Sequence, residues 1–532
     1  MTAPRTLYRR GRVRSPADPF ATALLVTGDT IAWIGGENAA DSLTADTVVD
    51  LDDALLAPAF VDAHVHTTAT GLAAGGLDLD GAPTRTAALD RLTAAARHRP
   101  GLITGTNWDE TSWPDRRAPT TADLAAAAPG REVYLSRVDG HTAVISGPLA
   151  ARTGAPRLAG WHGDGLVTGA AHHAARAAVE RDLRPADRAT AQRTARAAAA
   201  AAGIAALHEM GGPEVSSAED LAALIALAAA EPGPAVAPYW AGDLATALEL
   251  GAGWGGDAFV DGSFGSRTAA LRAPYADAGP GSTGESGGTY LSVTEIRDAV
   301  LAATAAGTQA GFHAIGDAAI DAVLAGVEAA AARLGRPTII AAAARIEHCE
   351  LLDADQISRL AGLGLTAVVQ PAFDARWGGP DGMYATRLGP ARAASTNPFA
   401  ALAAAGVPLA LSSDAPVTPL DPWGAVAAAC QHHTPAARLS ARAAFTAATR
   451  GGWRAARADG DGHGVLAPGA PATFAVWHVP GELVGTAPDG RVAAPSTDPR
   501  AAGAGLPDLT DPKTRPDCLR TVLRGQIIHD LL

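Results

Sequence analysis

Lysine is all but missing from this chain. Its one copy, Lys513, stands near the C-terminal end, while arginine is abundant. Whatever chemistry the core performs therefore runs without a lysine amine. Cysteine is nearly as scarce: Cys349, Cys430 and Cys518 are widely spread and odd in number, which argues against a disulfide framework. No run of Lys/Arg forms a basic stripe, and the net charge of −13 argues against a nucleic-acid surface. The apolar tracts are alanine-rich and broken by Arg, Glu or Gly, so none reads as a membrane span. The first residues, Met1 to Arg14, are rich in arginine and lack the apolar centre of a secretory signal. A soluble cytoplasmic protein is expected, with no nucleic-acid or membrane partner. What is present is core material. Hydrophobic residues make up 48% and charged residues 18% of 532, the balance of a globular chain with more than one domain.

Both ends of the chain read as β-structure. Residues 1–57 contain short strands such as Ala23-Leu24-Leu25-Val26-Thr27 and Thr30-Ile31-Ala32-Trp33-Ile34-Gly35, with Gly28-Asp29 as the turn between them. The far end, 465–532, repeats the style at 472–477 and 521–528. One small β-sandwich domain assembled from both termini is the economical reading. Between them, 58–464 alternates strands and helices, with strands expected near 58–64, 131–138, 203–208, 256–260, 309–313, 343–348, 364–370 and 407–412. Ser292 and Glu295 form a capping box ahead of Ile296, Val300 and Leu301 on one helix face. This pattern predicts an α/β fold, a (β/α)8 TIM-like barrel, with an inserted subdomain at about 72–130 and a lid at 273–289.

Within that frame, the informative stretch is Ala59-Phe60-Val61-Asp62-Ala63-His64-Val65-His66. Side chains two apart on a strand point the same way, so His64 and His66 leave the strand end together as half a metal site. Alone, the pair is equally well two surface histidines. Other polar residues gather at the expected strand ends: Arg137, Asp139 and His141, then His208-Glu209, Asp261, Arg267, His313, His348, Gln370 and Asp414. Each has a structural explanation by itself, as a satisfied histidine or a helix cap. Repeated on several strands, that explanation requires the same coincidence each time.

Together with Phe312-His313-Ala314-Ile315-Gly316-Asp317, Arg345-Ile346-Glu347-His348 and Ser412-Ser413-Asp414-Ala415-Pro416, the histidine stretch resembles the metal-dependent amidohydrolases. Asp261 to Ala269 and Gly464 to Gly469 are similar to amidohydrolase family 3, on the branch of the N-substituted formamide deformylases. The resemblance implies that His64, His66, His313, His348 and Asp414 hold one or two divalent cations, most simply Zn²⁺. It also implies hydrolysis of a C–N bond by a metal-activated water, with Asp414 and His348 as catalytic residues. Asp139, His141, Arg267 and Gln370 are then expected to contact a small-molecule substrate, and a homodimer is the assembly considered. Trp108, Trp113 and Trp377 are candidate pocket walls or core residues.

The resemblance breaks at one point. Many relatives bridge two metals with a carboxylated lysine, and here Asp257 stands at that position. Three outcomes follow: one metal, with His348 left to polarise or orient the substrate; two metals bridged by Glu209; or a lost site. Asp257 reads as a poorer bridge than Glu209, because its carboxylate sits one carbon from the backbone and cannot reach as far. Gly316, where deaminase relatives carry a glutamate, counts against the alternative of deamination. A metal-free binding or regulatory protein is the alternative from another class.

Overall fold

The computed structural model describes residues 3–278, 286–481, 483–484 and 505–532. Part of the expected lid therefore lies outside the described residues. At the centre, eight strands run parallel in two sheets of four. One holds β1 (Phe60–Val65), β2 (Ile204–Gly211), β3 (Ala235–Trp240) and β4 (Gly253–Trp254), each beside the next. The other holds β5 (Gly311–Ala314), β6 (Arg345–His348), β7 (Thr366–Val369) and β8 (Leu409–Leu411), again in chain order. Parallel bridges Trp254–Ala310 and Val65–Ala415 link the sheets at their two outer edges. Every residue of β1 and β2 is buried, as strands covered on both faces must be. Helices on the outside complete one apolar cluster in which Phe60, Leu207, Phe312 and Ile346 of the strands meet Val300, Leu324 and Leu360. The result is a mixed α/β fold, consistent with a TIM-barrel-like domain.

Two strand assignments differ from the sequence reading. The strand expected at 131–138 forms as Val133–Arg137, but it pairs with Ile103–Trp108 and Thr142–Ile145 in a separate five-stranded sheet. That sheet runs from Leu77 to Thr168, well past the 72–130 window. An apolar alternating segment looks the same whichever sheet it joins, so periodicity could not separate the two cases. The place left open is filled by β3, whose internal Pro238 removes a backbone donor and weakens the strand signal. β4 is also shorter and earlier than the expected 256–260; only Phe259 there pairs with β5, in a single bridge to His313. Trp108 and Trp113 are core residues of the five-stranded sheet.

The two chain ends form two further sheets that share one core. Arg5–Arg9, Ala23–Thr27, Thr30–Gly35 and Thr47–Asp50 make one; Arg12–Val13, Leu55–Pro58, Phe474–His478, Asp517–Leu523 and Gln526–Asp530 make the other. Tyr8, Leu24, Ile31, Leu56, Phe474 and Val522 pack between them. Trp477 faces the central strands, edge-on to Phe60 at 5.7 Å and to Trp423 at 5.5 Å. Among the described residues no helix is long and apolar enough to cross a membrane.

Because Trp477 fills the junction, Trp477→Ala leaves a cavity that neighbouring rings cannot close. Urea unfolding is expected to show a loss of about 3–5 kcal/mol. A loss under about 1 kcal/mol, the size of a surface change, would contradict a close-packed junction.

Candidate metal centre

The site forms where β1, β5, β6 and β8 end. His64 is the fifth residue of β1, and His66 immediately precedes the helix Thr67–Gly75. His64 Nδ1 donates to Glu347 Oε2 at 2.9 Å, His66 Nδ1 to the carbonyl of Met210 at 3.0 Å, and His348 Nδ1 to Gln370 Oε1 at 2.9 Å. With Nδ1 carrying the proton in each case, all three rings turn an Nε2 lone pair inward. His313 is mounted the other way: Nε2 donates to the Gly262 carbonyl at 3.3 Å, and Nδ1 lies 3.0 Å from Asp257 Oδ1.

Two carboxylates meet these rings. Asp414 Oδ1 is 3.3 Å from His64 Nε2 and 3.2 Å from His66 Nε2. Asp257 touches all four: besides His313, its oxygens lie 3.7 Å from His66 and His348 and 3.9 Å from His64. Two donor groups result, His64–His66–Asp414 and His64–Asp257–His348, each with its ligand atoms within 4.8 Å of one another. His64 Nε2, His348 Nε2 and Asp414 Oδ1 are buried with no hydrogen-bond partner. Burial of unpaired polar atoms is costly unless something else satisfies them. Imidazole and carboxylate donors at these separations suit a borderline divalent cation.

Electrostatics points the same way. Burial alone would lower the His64 imidazole, but the Asp414 and Asp257 carboxylates outweigh it and hold it well above its ordinary value. His66 and His313 are raised against the same burial penalty, His66 mainly by Asp414 and His313 mainly by Asp257. Asp414 and Asp257 are correspondingly held below the usual carboxylate range, the imidazoles overcoming the cost of burial. The two carboxylates thus demand nearby positive charge, which protons on the rings supply when no cation does.

Asp257 overturns the argument from side-chain length. After β4 the chain passes through Gly255 and Gly256 at φ of +83° and +74°. A Cβ on Gly255 would lie 2.1 Å from the Gly311 carbonyl oxygen, and one on Gly311 would lie 2.5 Å from the Gly256 nitrogen. Bare backbone on both sides lets this segment press against β5, so a short carboxylate starts close enough to reach four rings. Glu209, expected as the alternative bridge, serves elsewhere. Its Oε2 accepts the N–H of Thr67 at 2.8 Å, and burial pushes its carboxyl up to about 7.

Several other expected contacts are also reassigned. Arg267 is partly exposed and paired with Asp277 at 2.6 Å, outside the cleft. Asp261 accepts three backbone N–H groups, from Ala270, Ile315 and Gly316. Gln370 is not free for a substrate: its Oε1 orients His348 while its Nε2 donates to Ser412 at 3.0 Å. Asp139 lines the cleft, but its carboxylate is already engaged by Arg137, Ser263 and Ser266. His141 faces the cleft 5.1 Å from the His313 ring, and burial pushes its imidazole down to about 3, so it is neutral. Trp377 bounds a side arm of the cleft with Phe264 and Tyr384. His208 is structural, accepting from Arg345 at 3.0 Å.

The residue overlooked was Glu347. Strand alternation puts Arg345 and Glu347 inside together, where Arg345 donates to Glu347 at 2.6 Å and Glu347 accepts from His64. His348 would then face outward, but φ of +75° there turns it back to the rim; Asp414 has a φ of +55°. Such backbone costs about 1–3 kcal/mol per residue and persists where surrounding contacts enforce it.

The family model described as the amidohydrolase family matches residues 47–529, and the chain belongs to that family. Among solved structures it is similar to an uncharacterized metal-dependent hydrolase from Pyrococcus furiosus, with 26% identity and a TM-score of 0.69 over 89% of this chain and 98% of that one. A second such hydrolase, from Pyrococcus horikoshii OT3, gives 25% identity and a TM-score of 0.70 over 89% and 97%. The exoenzymes regulatory protein AepA of Pectobacterium carotovorum subsp. carotovorum is 30% identical over 129 residues. That match spans 22% of this chain and 28% of the relative's own length.

Two measurements test this assembly. Asp257→Ala is expected to lower bound metal, read by plasma mass spectrometry, while Glu209→Gln retains it; the reverse order would restore Glu209 as the bridge. Because protons occupy the rings in the absence of a cation, falling pH must weaken cation binding, by up to about tenfold per unit for each proton displaced. Chelator competition between about pH 8 and about pH 6 reads this, and a flat profile would exclude His64 and His66 as ligands.

Proposed function

We propose that the protein is a metal-dependent hydrolase that cleaves the carbon–nitrogen bond of an amide or formamide-type small molecule. The observation that carries the reading is that His64 Nε2, His348 Nε2 and Asp414 Oδ1 are buried without hydrogen-bond partners and belong to two donor groups, His64–His66–Asp414 and His64–Asp257–His348, that share His64. His64, His66 and Asp414 would hold one cation, with Asp257, His313 and His348 available to a second. Zn²⁺ matches the donor set best. The cation supplies Lewis acidity, lowering the pKa of water and polarising a carbonyl. The eight parallel strands, joined at both outer edges, support the reading of a closed barrel that places this chemistry at its C-terminal rim. The paired terminal sheets support a β-sandwich built from both ends.

The chain's own residues divide the remaining work. Asp414 stays ionised at neutral pH, so its carboxylate can accept a proton from the attacking water and return it to the leaving nitrogen. Glu347, Gln370 and the Met210 carbonyl fix the imidazole tautomers. A cleft walled by Leu72, Val138, Phe259 and Val417 gives room for a small substrate with an apolar body.

Stripping the cation with a chelator should abolish hydrolysis of a panel of N-formyl and N-acetyl amines, and Zn²⁺ should restore it. His64→Ala and Asp414→Asn are each expected to cut kcat by at least about a hundredfold while circular dichroism stays that of the parent. Full activity in either variant would sink the proposal.

A further inference from the structure

Two arginines border the cleft, and only one is neutralised. Arg137 is held by three carboxylates: Asp109 at 3.1 Å, Glu110 at 2.8 Å and Asp139 at 2.8 Å. Arg176, on the helix Gly169–Asp182, has no carboxylate within ion-pair distance among the described residues. Its guanidinium donates to two backbone carbonyls, of Glu214 at 3.1 Å and of Gly140. These contacts fix its position without cancelling its charge, and leave three of its five N–H groups for another acceptor. Gly140 adjoins His141, whose ring reaches the His313 ring of the metal centre, so Arg176 sits beyond the reacting end of the same cleft. The other polar neighbours do not supply the missing anion. His141 and His173 carry no negative charge in either protonation state, and Glu180, one turn further along the same helix, forms no ion pair with Arg176, its buried Oε2 having no hydrogen-bond partner.

We propose that Arg176 binds a carboxylate carried by the substrate, so that the cleft selects amides with an apolar body and an acid group remote from the scissile bond. The proposal rests on the hydrolase reading for the word amide, but not for the anion. One fixed guanidinium with a single charge and a planar fork matches a monoanionic carboxylate better than a dianionic phosphate. Apolar side chains, among them Phe259, Val138 and Leu72, line the same cleft as Arg176 and the residues of the metal centre.

The test compares para-(acetamidomethyl)benzoic acid, whose ring separates the acid from the amide, with its carboxamide, by calorimetric titration of the full chain as purified. The parent is expected to bind the acid at least about tenfold more tightly than the carboxamide. Arg176→Gln should bring that ratio below about twofold, and Arg176→Lys, which keeps the charge but not the fork, should recover part of it. A parent that binds both alike, or neither, overturns the proposal. So does an unchanged ratio in Arg176→Gln, the result expected if the acid sat on the cation instead. If Arg176→Gln does not fold, the parent ratio and the Arg176→Lys ratio decide. Hydrolysis of both ligands is followed separately: discrimination without turnover would defeat the hydrolase reading and leave Arg176 standing, whereas turnover without discrimination would do the opposite.

Discussion

Two buried carboxylates, Asp257 and Asp414, face four imidazoles, and the rest of the centre is arranged around their need for positive charge. In a low-dielectric interior neither carboxylate can stay ionised alone. Protons on His64, His66 and His313 meet the need in the absence of a cation, and a divalent cation would meet it more compactly. The buried Nε2 atoms of His64 and His348, which have no hydrogen-bond partner, both lie near Asp257, where a cation would satisfy them.

That arrangement is rigid because its supports are themselves part of the fold. Arg345 is wholly buried, lies 4.5 Å over the Tyr239 ring, and donates to Glu347 and to the backbone of β1 at Ala63. Glu347 in turn holds His64. A contact on the third strand is thus tied through the sixth to a ring on the first. Asp62, joined to the backbone N–H of Ser413 at 3.0 Å, locks the first strand to the segment that carries Asp414. Removing any of these would release both stability and ring orientation, since the same hydrogen bonds serve both.

Much of the fold was legible. Apolar runs located six of the eight central strands, β4 falling just before the expected 256–260, and the capping box at Ser292 and Glu295 forms as read. The misplaced strand at Val133–Arg137 and the unseen one at Ala235–Trp240 failed for a common reason. Local patterning reports how a segment packs, not which neighbour it pairs with, and a proline inside a parallel strand contradicts the usual signal.

For the site, the sequence alone determined which donors exist and that they sit at strand ends: His64, His66, His313, His348 and Asp414, with no lysine able to join them. Only the tertiary structure decided where each side chain is directed. Glu209 is long and stands at the right strand, yet its carboxylate is taken by a helix N-terminus. Asp257 is short, yet it reaches every ring because two glycines and Gly311 let one backbone lie against another. Reach depends on the approach of main chains distant in sequence, and on φ values such as that of His348, which no spacing of residues encodes.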